Sequence, residues 1–355
     1  MVGLLKLGIG YTFATLMLTL HLMLHSAAVT ANAELPAVPL QSHLVELNHH
    51  HIHIHQQGKN KQRPLLILLS GPTDNWHSDS AWWIVAQDLL AEDYQTLSID
   101  RAGQGWSQRI DNPSYRQFAK DLKSLLSSDE VVELDRELVF VAFASSNLSL
   151  NLLLDDEAIA ARTQGVVLID PDVLTQHSLH YYTSETDGYK KGWQGLEDYI
   201  RSGKYDERIQ QKLKAERKHL EAIIPSQYQH HMDWDYYDAV EMIRQTRDYQ
   251  IHKFLEASVY RQDLEAAKSQ GLSDSLPLVI LDTDFEAAYL EQLDDEEVKA
   301  SIAQWRQEGI EWYFELAQSS QCGAYWPIET REHLLMMTQP ELIEQAINKV
   351  LACSQ

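Results

Sequence analysis

ELVFVAFASSNLSLN, residues 137–151, passes from an almost unbroken apolar run into a segment that opens with serines and an asparagine. Glu137 to Ala144 reads as a strand buried on both faces, because polar residues do not alternate with the apolar ones. Leu148 to Ala161 has helical spacing, and Ser145 and Ser146 suit its start, since serine caps helices well. A buried strand that feeds directly into a helix is the building unit of a parallel sheet covered on both faces.

The same unit recurs along the chain. Leu44 to Gly58 reads as a strand, and PLLILLSG (Pro64 to Gly71) is a buried strand ending in glycine. A helix follows around Ala81 to Ala91, then strand Tyr94 to Asp100, a helix over Tyr115 to Leu126, and strand Gly165 to Val173. From Leu174 to Ser275 the sequence turns polar and helix-rich, with many Tyr and Trp and no clear strand. The alternation resumes with strand Leu276 to Asp284, helix Leu290 to Gln307, strand Ile310 to Leu316 and helix Pro340 to Leu351. The expected fold is α/β, a mainly parallel sheet with helices on both faces plus an inserted helical cap. Its domain plan is 34–173 for the first part of the core, 174–275 for the cap and 276–355 for the rest.

Composition narrows the function classes. With 44% hydrophobic residues among 355, intrinsic disorder is excluded and a large core is within reach. Twenty-nine basic against 52 acidic residues give a net charge of −23, which repels phosphate backbones and argues against nucleic acid as a partner. Two cysteines, Cys322 and Cys353, build neither a disulfide scaffold nor a Cys-rich zinc site, and the sequence leaves open whether they pair.

Residues 1–33 carry one charge, Lys6, then an apolar stretch from Leu7 to Leu24 and small residues ending in Ala31-Asn32-Ala33. This is the pattern of a signal peptide, so an exported protein, periplasmic or secreted, is expected. The apolar stretch is short for a membrane span and lacks basic residues after it. Without it the count is 28 basic against 52 acidic, a mature charge of −24. No other stretch is long enough to span a bilayer, so no membrane span is expected after signal removal.

Four segments, in order, resemble the α/β-hydrolase fold superfamily over nearly the whole mature chain. LLILLSGPTDNWHSDSAWW resembles its strand and oxyanion loop, with Ser70-Gly71 standing where His-Gly is usual. LSIDRAGQGWS (Leu97 to Ser107) resembles the Asp-x-x-Gly-x-Gly-x-Ser turn, here with Gln104 between the glycines. VVLIDP (Val166 to Pro171) resembles the strand leading into the cap, and His333 precedes Pro340 at the spacing found around the catalytic histidine.

The resemblance implies a nucleophile on the sharp turn after the strand Glu137 to Ala144, where the residues two before and two after must be small. Three registers compete. Ala144 has Ala142 and Ser146 as flanks, the best steric fit, but offers no nucleophile. Ser145 lies between Phe143 and Asn147, and Ser146 between Ala144 and Leu148. An acid is expected after the strand Leu276 to Asp284, where Asp282, Asp284 and Glu286 are available and Asp284 lies nearest the end of the run. In the intact arrangement Asp284 orients His333, His333 takes the proton of Ser146 or Ser145, and backbone N–H groups hold the oxyanion. Those donors come from the loop Gly71-Pro72-Thr73 and the residue after the turn, but Pro72 has no N–H.

Two functions follow as expectations. One is a carboxylic-ester (acyl) hydrolase acting on a small or medium substrate. The other is a catalytically inactive chain that binds a ligand or partner through its cap cleft, where Tyr181, Tyr182, Trp193, Tyr199, Trp234, Tyr236 and Tyr237 supply aromatic surface beside His230 and His231. Neither calls for a cofactor. HHHIHIH sets His51, His53 and His55 on one strand face, but Cα spacings of about 6–7 Å are wide for one ion. An edge strand with a solvated face is the better reading there, and no metal is expected.

Overall fold

The computed structural model describes residues 35–353, so the signal segment expected at 1–33 lies outside the described residues. In chain order the elements are β1 (Ser42–Leu47), β2 (His50–Gln57), β3 (Leu65–Leu69), α1 (Ile84–Leu90), β4 (Thr96–Ile99), α2 (Tyr115–Leu126), β5 (Leu138–Phe143), α3 (Ser146–Leu153), α4 (Glu157–Ala160) and β6 (Thr163–Ile169). Six helices come next: α5 (Gln176–Lys191), α6 (Trp193–Arg201), α7 (Asp206–Ile223), α8 (Trp234–Arg244), α9 (Arg247–Ser258) and α10 (Tyr260–Lys268). The chain closes with β7 (Leu278–Asp282), α11 (Phe285–Gln292), α12 (Glu296–Ser319), β8 (Gly323–Pro327), α13 (Leu335–Thr338) and α14 (Pro340–Cys353).

The sheet order is β1-β2-β4-β3-β5-β6-β7-β8. β1 and β2 are antiparallel to their neighbours, and β4, β3, β5, β6, β7 and β8 run parallel. Both faces are apolar because alternate residues of each central strand enter different cores. Leu66, Leu68, Val139, Val141, Val167 and Ile169 pack on one side with Val85, Ile343 and Ile347, while Leu65, Ile67, Phe140, Val166 and Leu168 pack on the other with Leu122 and Leu150. Each such fully buried side chain contributes about 1.5–3 kcal/mol. The α/β class expected from the alternation is the one observed.

Two local expectations are corrected. Leu44 to Gly58 is a hairpin, not one strand: Asn48 and His49 adopt φ of 50° and 70° and turn the chain back on itself. β2 therefore lies inside the sheet, between β1 and β4, and not at a solvated edge. Its histidines are mostly buried and separately partnered: His53 Nδ1 meets Asp100 Oδ2 at 2.7 Å, His55 meets Ser42 Oγ at 2.8 Å, and His50 meets Asp121 at 3.1 Å. Second, Ile310 to Leu316 belongs to helix α12, and the strand beside β7 is Gly323–Pro327. Buried Ile302, Trp305, Gly309, Tyr313 and Ala317 recur every three or four residues, a helical period that the short apolar run disguises. The acidic start of α12 is a cap, with Asp295 accepting from the amides of Glu297 and Val298.

The resemblance of LSIDRAGQGWS to a known turn has a structural basis. Asp100 is fully buried and accepts from Ser80 N at 2.5 Å, Ser80 Oγ at 3.1 Å and His53. Gly105 has φ 47°, and a Cβ there would lie 2.0 Å from the Asp100 carboxylate, so only glycine lets the turn fold over it. Ser107 Oγ closes the turn by donating to Asp100 O at 2.8 Å. The motif is a brace between β2, β4 and the Ser80–Trp83 turn.

Cys322 and Cys353 are joined by a disulfide, with Cα atoms 6.2 Å apart, tying the start of β8 to the end of α14. It closes a loop with a sequence separation of 31. The chain-entropy account of such loops gives a contribution of about 3–4 kcal/mol. Reduction, or Cys322→Ser with Cys353→Ser, should lower the thermal midpoint by about 5–10 °C. An unchanged midpoint in a calorimetric scan would show that the bond does not constrain the unfolded chain.

Candidate active site

The turn between β5 and α3 settles the register. Ala144 has φ 48°, the left-handed strained conformation, while Ser145 is already in the right-handed helical region at φ −60°. Ala144 N donates to Ile169 O at 2.9 Å, which pins the turn against the end of β6. Gly71 backs onto it: a Cβ on Gly71 would lie 2.4 Å from Phe143 O, 2.6 Å from Ser145 N and 2.8 Å from Ala144 Cβ. Of the three registers the structure takes the sterically best one, and the side chain at the elbow is a methyl group.

The two serines are committed elsewhere. Ser146 is fully buried and donates to Leu69 O at 3.0 Å and Phe143 O at 2.8 Å, and it does not line the cavity that holds Ala144 and His333. Ser145 lies on the cavity wall, but its hydroxyl bonds Tyr260 Oη, and Tyr260 in turn donates to Asp172 Oδ2. Burial pushes the Asp172 carboxyl up to about 6 despite these donors. The Ser145 proton thus points along a relay to Asp172. Neither serine is hydrogen-bonded to His333.

His333 does have an acid partner, though not one of the three that sequence reasoning offered. Its Nδ1 lies 2.8 Å from Asp170 Oδ2, at the C-terminal end of β6. Asp170 has φ 44° and accepts from Thr283 N at 2.7 Å and Thr283 Oγ1 at 2.6 Å, so its carboxylate is fixed by the loop after β7. Asp284 instead pairs with Arg306, at 2.9 Å for one of its contacts, Asp282 accepts from Tyr325 at 2.5 Å, and Glu286 is buried beside Asp170 with its carboxyl raised well above the ordinary range by burial. The missed signal was VVLIDP itself, since an acid just past the carboxyl end of a parallel strand lies where such sheets place their sites. Phe143 and Phe285 sandwich the imidazole, with ring centroids at 4.6 Å and 4.0 Å.

Ala144, Asp170 and His333 share one cavity that opens to solvent. Pro72, Thr73, Asp74 and Trp76 form one wall, Pro171 and Asp172 another, and Tyr181, Tyr182 and Tyr260 of the helical insertion roof it. Phe285, Tyr289, Trp305 and Tyr313 complete it from α11 and α12. Tyr236 and Tyr237, by contrast, are buried in core packing, and Trp193 packs against a cluster within the insertion. The loop expected to hold an oxyanion is short of donors: Pro72 has no N–H, and Thr73 N is taken by His77 O at 3.0 Å. Among the described residues no group of three His, Cys, Asp or Glu is placed to hold a metal ion.

Buried ions fasten the insertion to the core beside this cavity. Arg244 of α8 bonds Asp79 at 2.7 and 2.9 Å and Glu216 of α7 at 2.6 Å. Glu216 also accepts from Tyr237 at 3.0 Å and pairs with His77 at 2.9 Å. Burial drives the His77 pKa down to about 3, so the ring is neutral. Burial opposes the Glu216 charge, yet His77 and Arg244 hold its carboxyl well below the usual range. A second pair, Arg101 with Glu256 of α9 at 2.9 and 3.0 Å, holds Ser70 O at 2.5 Å and so fixes the oxyanion loop.

No protein-family model matches the sequence, and no curated protein matches it significantly. Solved structures do match in shape. An esterase from Thermogutta terrifontis is 15% identical with a TM-score of 0.52, covering 88% of this chain and 99% of its own. An alpha/beta hydrolase fold protein from Burkholderia ambifaria is 16% identical with a TM-score of 0.52, covering 86% and 98%. The epoxide hydrolase CorEH is 14% identical with a TM-score of 0.51, covering 88% and 99%. At such identities the likeness is one of fold.

Proposed function

The chain has the α/β-hydrolase fold, and on that premise we propose that it is a non-covalent small-molecule binder, holding its ligand in the cavity over Ala144 without a nucleophilic step. Fold alone licenses no activity, so the site carries the argument. The single observation behind it is the left-handed Ala144 at the elbow. An acyl transfer there has no atom to attack the carbonyl, and the oxyanion that would form finds the Pro72 donor missing. The preformed cavity, roofed by tyrosines, is what remains.

A second reading is a working carboxylic-ester hydrolase. The retained His333–Asp170 pair favours it, with Ser145 the hydroxyl on the cavity wall. Labelling the purified protein with a fluorophosphonate, followed by intact mass, separates the two. No adduct is expected on folded protein. An adduct mapped to Ser145 and abolished by His333→Ala would overturn the binder reading.

We further propose that the protein acts outside the cytoplasm. The signal-like residues 1–33 support this, as does the Cys322–Cys353 bond, because disulfides persist in oxidising compartments. Among the described residues no helix is long and apolar enough to cross a membrane.

A further inference from the structure

We propose that the cavity over Ala144 receives a small organic cation, a quaternary or tertiary ammonium, seated between aromatic faces and the carboxylates of the cavity wall. This rests on the non-covalent reading above and names the ligand class of the same site.

Charge is the first observation. Asp74, Asp170 and Asp172 all line the cavity, and among the described residues no Lys or Arg does. Elsewhere several buried carboxylates have a guanidinium: Asp79 and Glu216 share Arg244, Glu256 has Arg101, and Asp263 has Arg116. The carboxylates of the cavity have uncharged hydroxyl donors instead: Tyr289 for Asp74, Tyr260 for Asp172 and Thr283 for Asp170, which also holds His333. Their negative field is therefore left for a ligand to balance. An anion would meet it with only His333 to help, and a neutral ligand would desolvate these carboxylates without return.

Aromatic surface is the second. Tyr181 and Trp305 stack at 4.6 Å with rings 24° apart, and Trp76 stands edge-on to Tyr260 at 5.8 Å. Ring faces and carboxylates together are the chemistry that recognises alkylammonium groups. The net charge of −23 also raises the local concentration of cations around the molecule.

Choline and its uncharged isostere 3,3-dimethylbutan-1-ol test this, with binding read by tryptophan fluorescence and titration calorimetry. Choline should bind about tenfold more tightly than the isostere. Asp74→Asn, an exposed change that should leave the fold intact by circular dichroism, should weaken choline about threefold and leave the isostere unmoved. Tyr181→Leu should weaken choline more than the isostere. Equal binding of both probes would overturn the cation assignment while leaving the binder reading in place. Failure of choline to bind at tens of millimolar would also overturn it. A fluorophosphonate adduct on Ser145 would instead remove the reading beneath.

Discussion

Arg244→Met should lower the free energy of unfolding by about 3–5 kcal/mol, the cost of leaving a buried charge without its partner. Arg244 is fully buried and bonds both Asp79 and Glu216, and its guanidinium also lies 4.5 Å from the centre of the Trp82 ring. Although burial opposes its charge, the two carboxylates keep it protonated. Methionine fills much of the volume but strands Asp79 and Glu216 where water cannot reach them. Arg217→Met is the matched control, because its partners Glu221 and Asp238 are more than half exposed and such pairs contribute less than about 1 kcal/mol. Urea melts measure both. Asp79→Asn combined with Arg244→Met should cost less than the sum of the single changes, since the two share one interaction. A loss under about 1 kcal/mol for Arg244→Met would mean that the insertion is not held by this ion cluster.

Ala144→Ser should form a single fluorophosphonate adduct, mapped to position 144 and lost in the Ala144→Ser/His333→Ala double variant, where the parent protein is expected to form none. The backbone there already has the left-handed turn, and the His333–Asp170 pair shares the cavity. Ester turnover should lag behind labelling by about 10²–10³, because one oxyanion donor is missing at Pro72. Adding Pro72→Ala, which returns an N–H, should recover part of that gap. If folded Ala144→Ser takes no label, the cavity is not a disabled acyl-transfer site and the histidine has another role.

Much of this was legible in the residues, and the limits have physical causes. The apolar runs at Leu65–Leu69, Leu138–Phe143 and Val166–Ile169 announced the parallel sheet, because strands buried on both faces need no alternation. The elbow register was legible only in part: Ala144 alone has small residues at both flanks, but Ser145 and Ser146 stayed open until the backbone placed the positive φ at Ala144. The hairpin at Asn48-His49 was not, because a turn that runs straight into a row of histidines lacks the Asn-Gly that would advertise it. The strand at Gly323–Pro327 was missed because Ile310–Leu316 is as apolar as a strand, yet it winds around a long helix in which Tyr313 is buried and Phe314 exposed. Pairing of His333 with Asp170 spans 163 positions. Acids after β6 and β7 look alike in sequence, and only the packing of the Thr283 loop on Asp170 decides between them.

The Cys322–Cys353 bond makes a covalent ring of β8, the loop carrying His333, and α14. A protease that cuts the exposed part of that loop opens the ring without releasing a fragment. The histidine wall of the cavity stays attached to the sheet at one end through β8 and at the other through α14. Under conditions in which peptide bonds are more at risk than disulfides, that wall of the cavity outlasts the integrity of the chain that forms it.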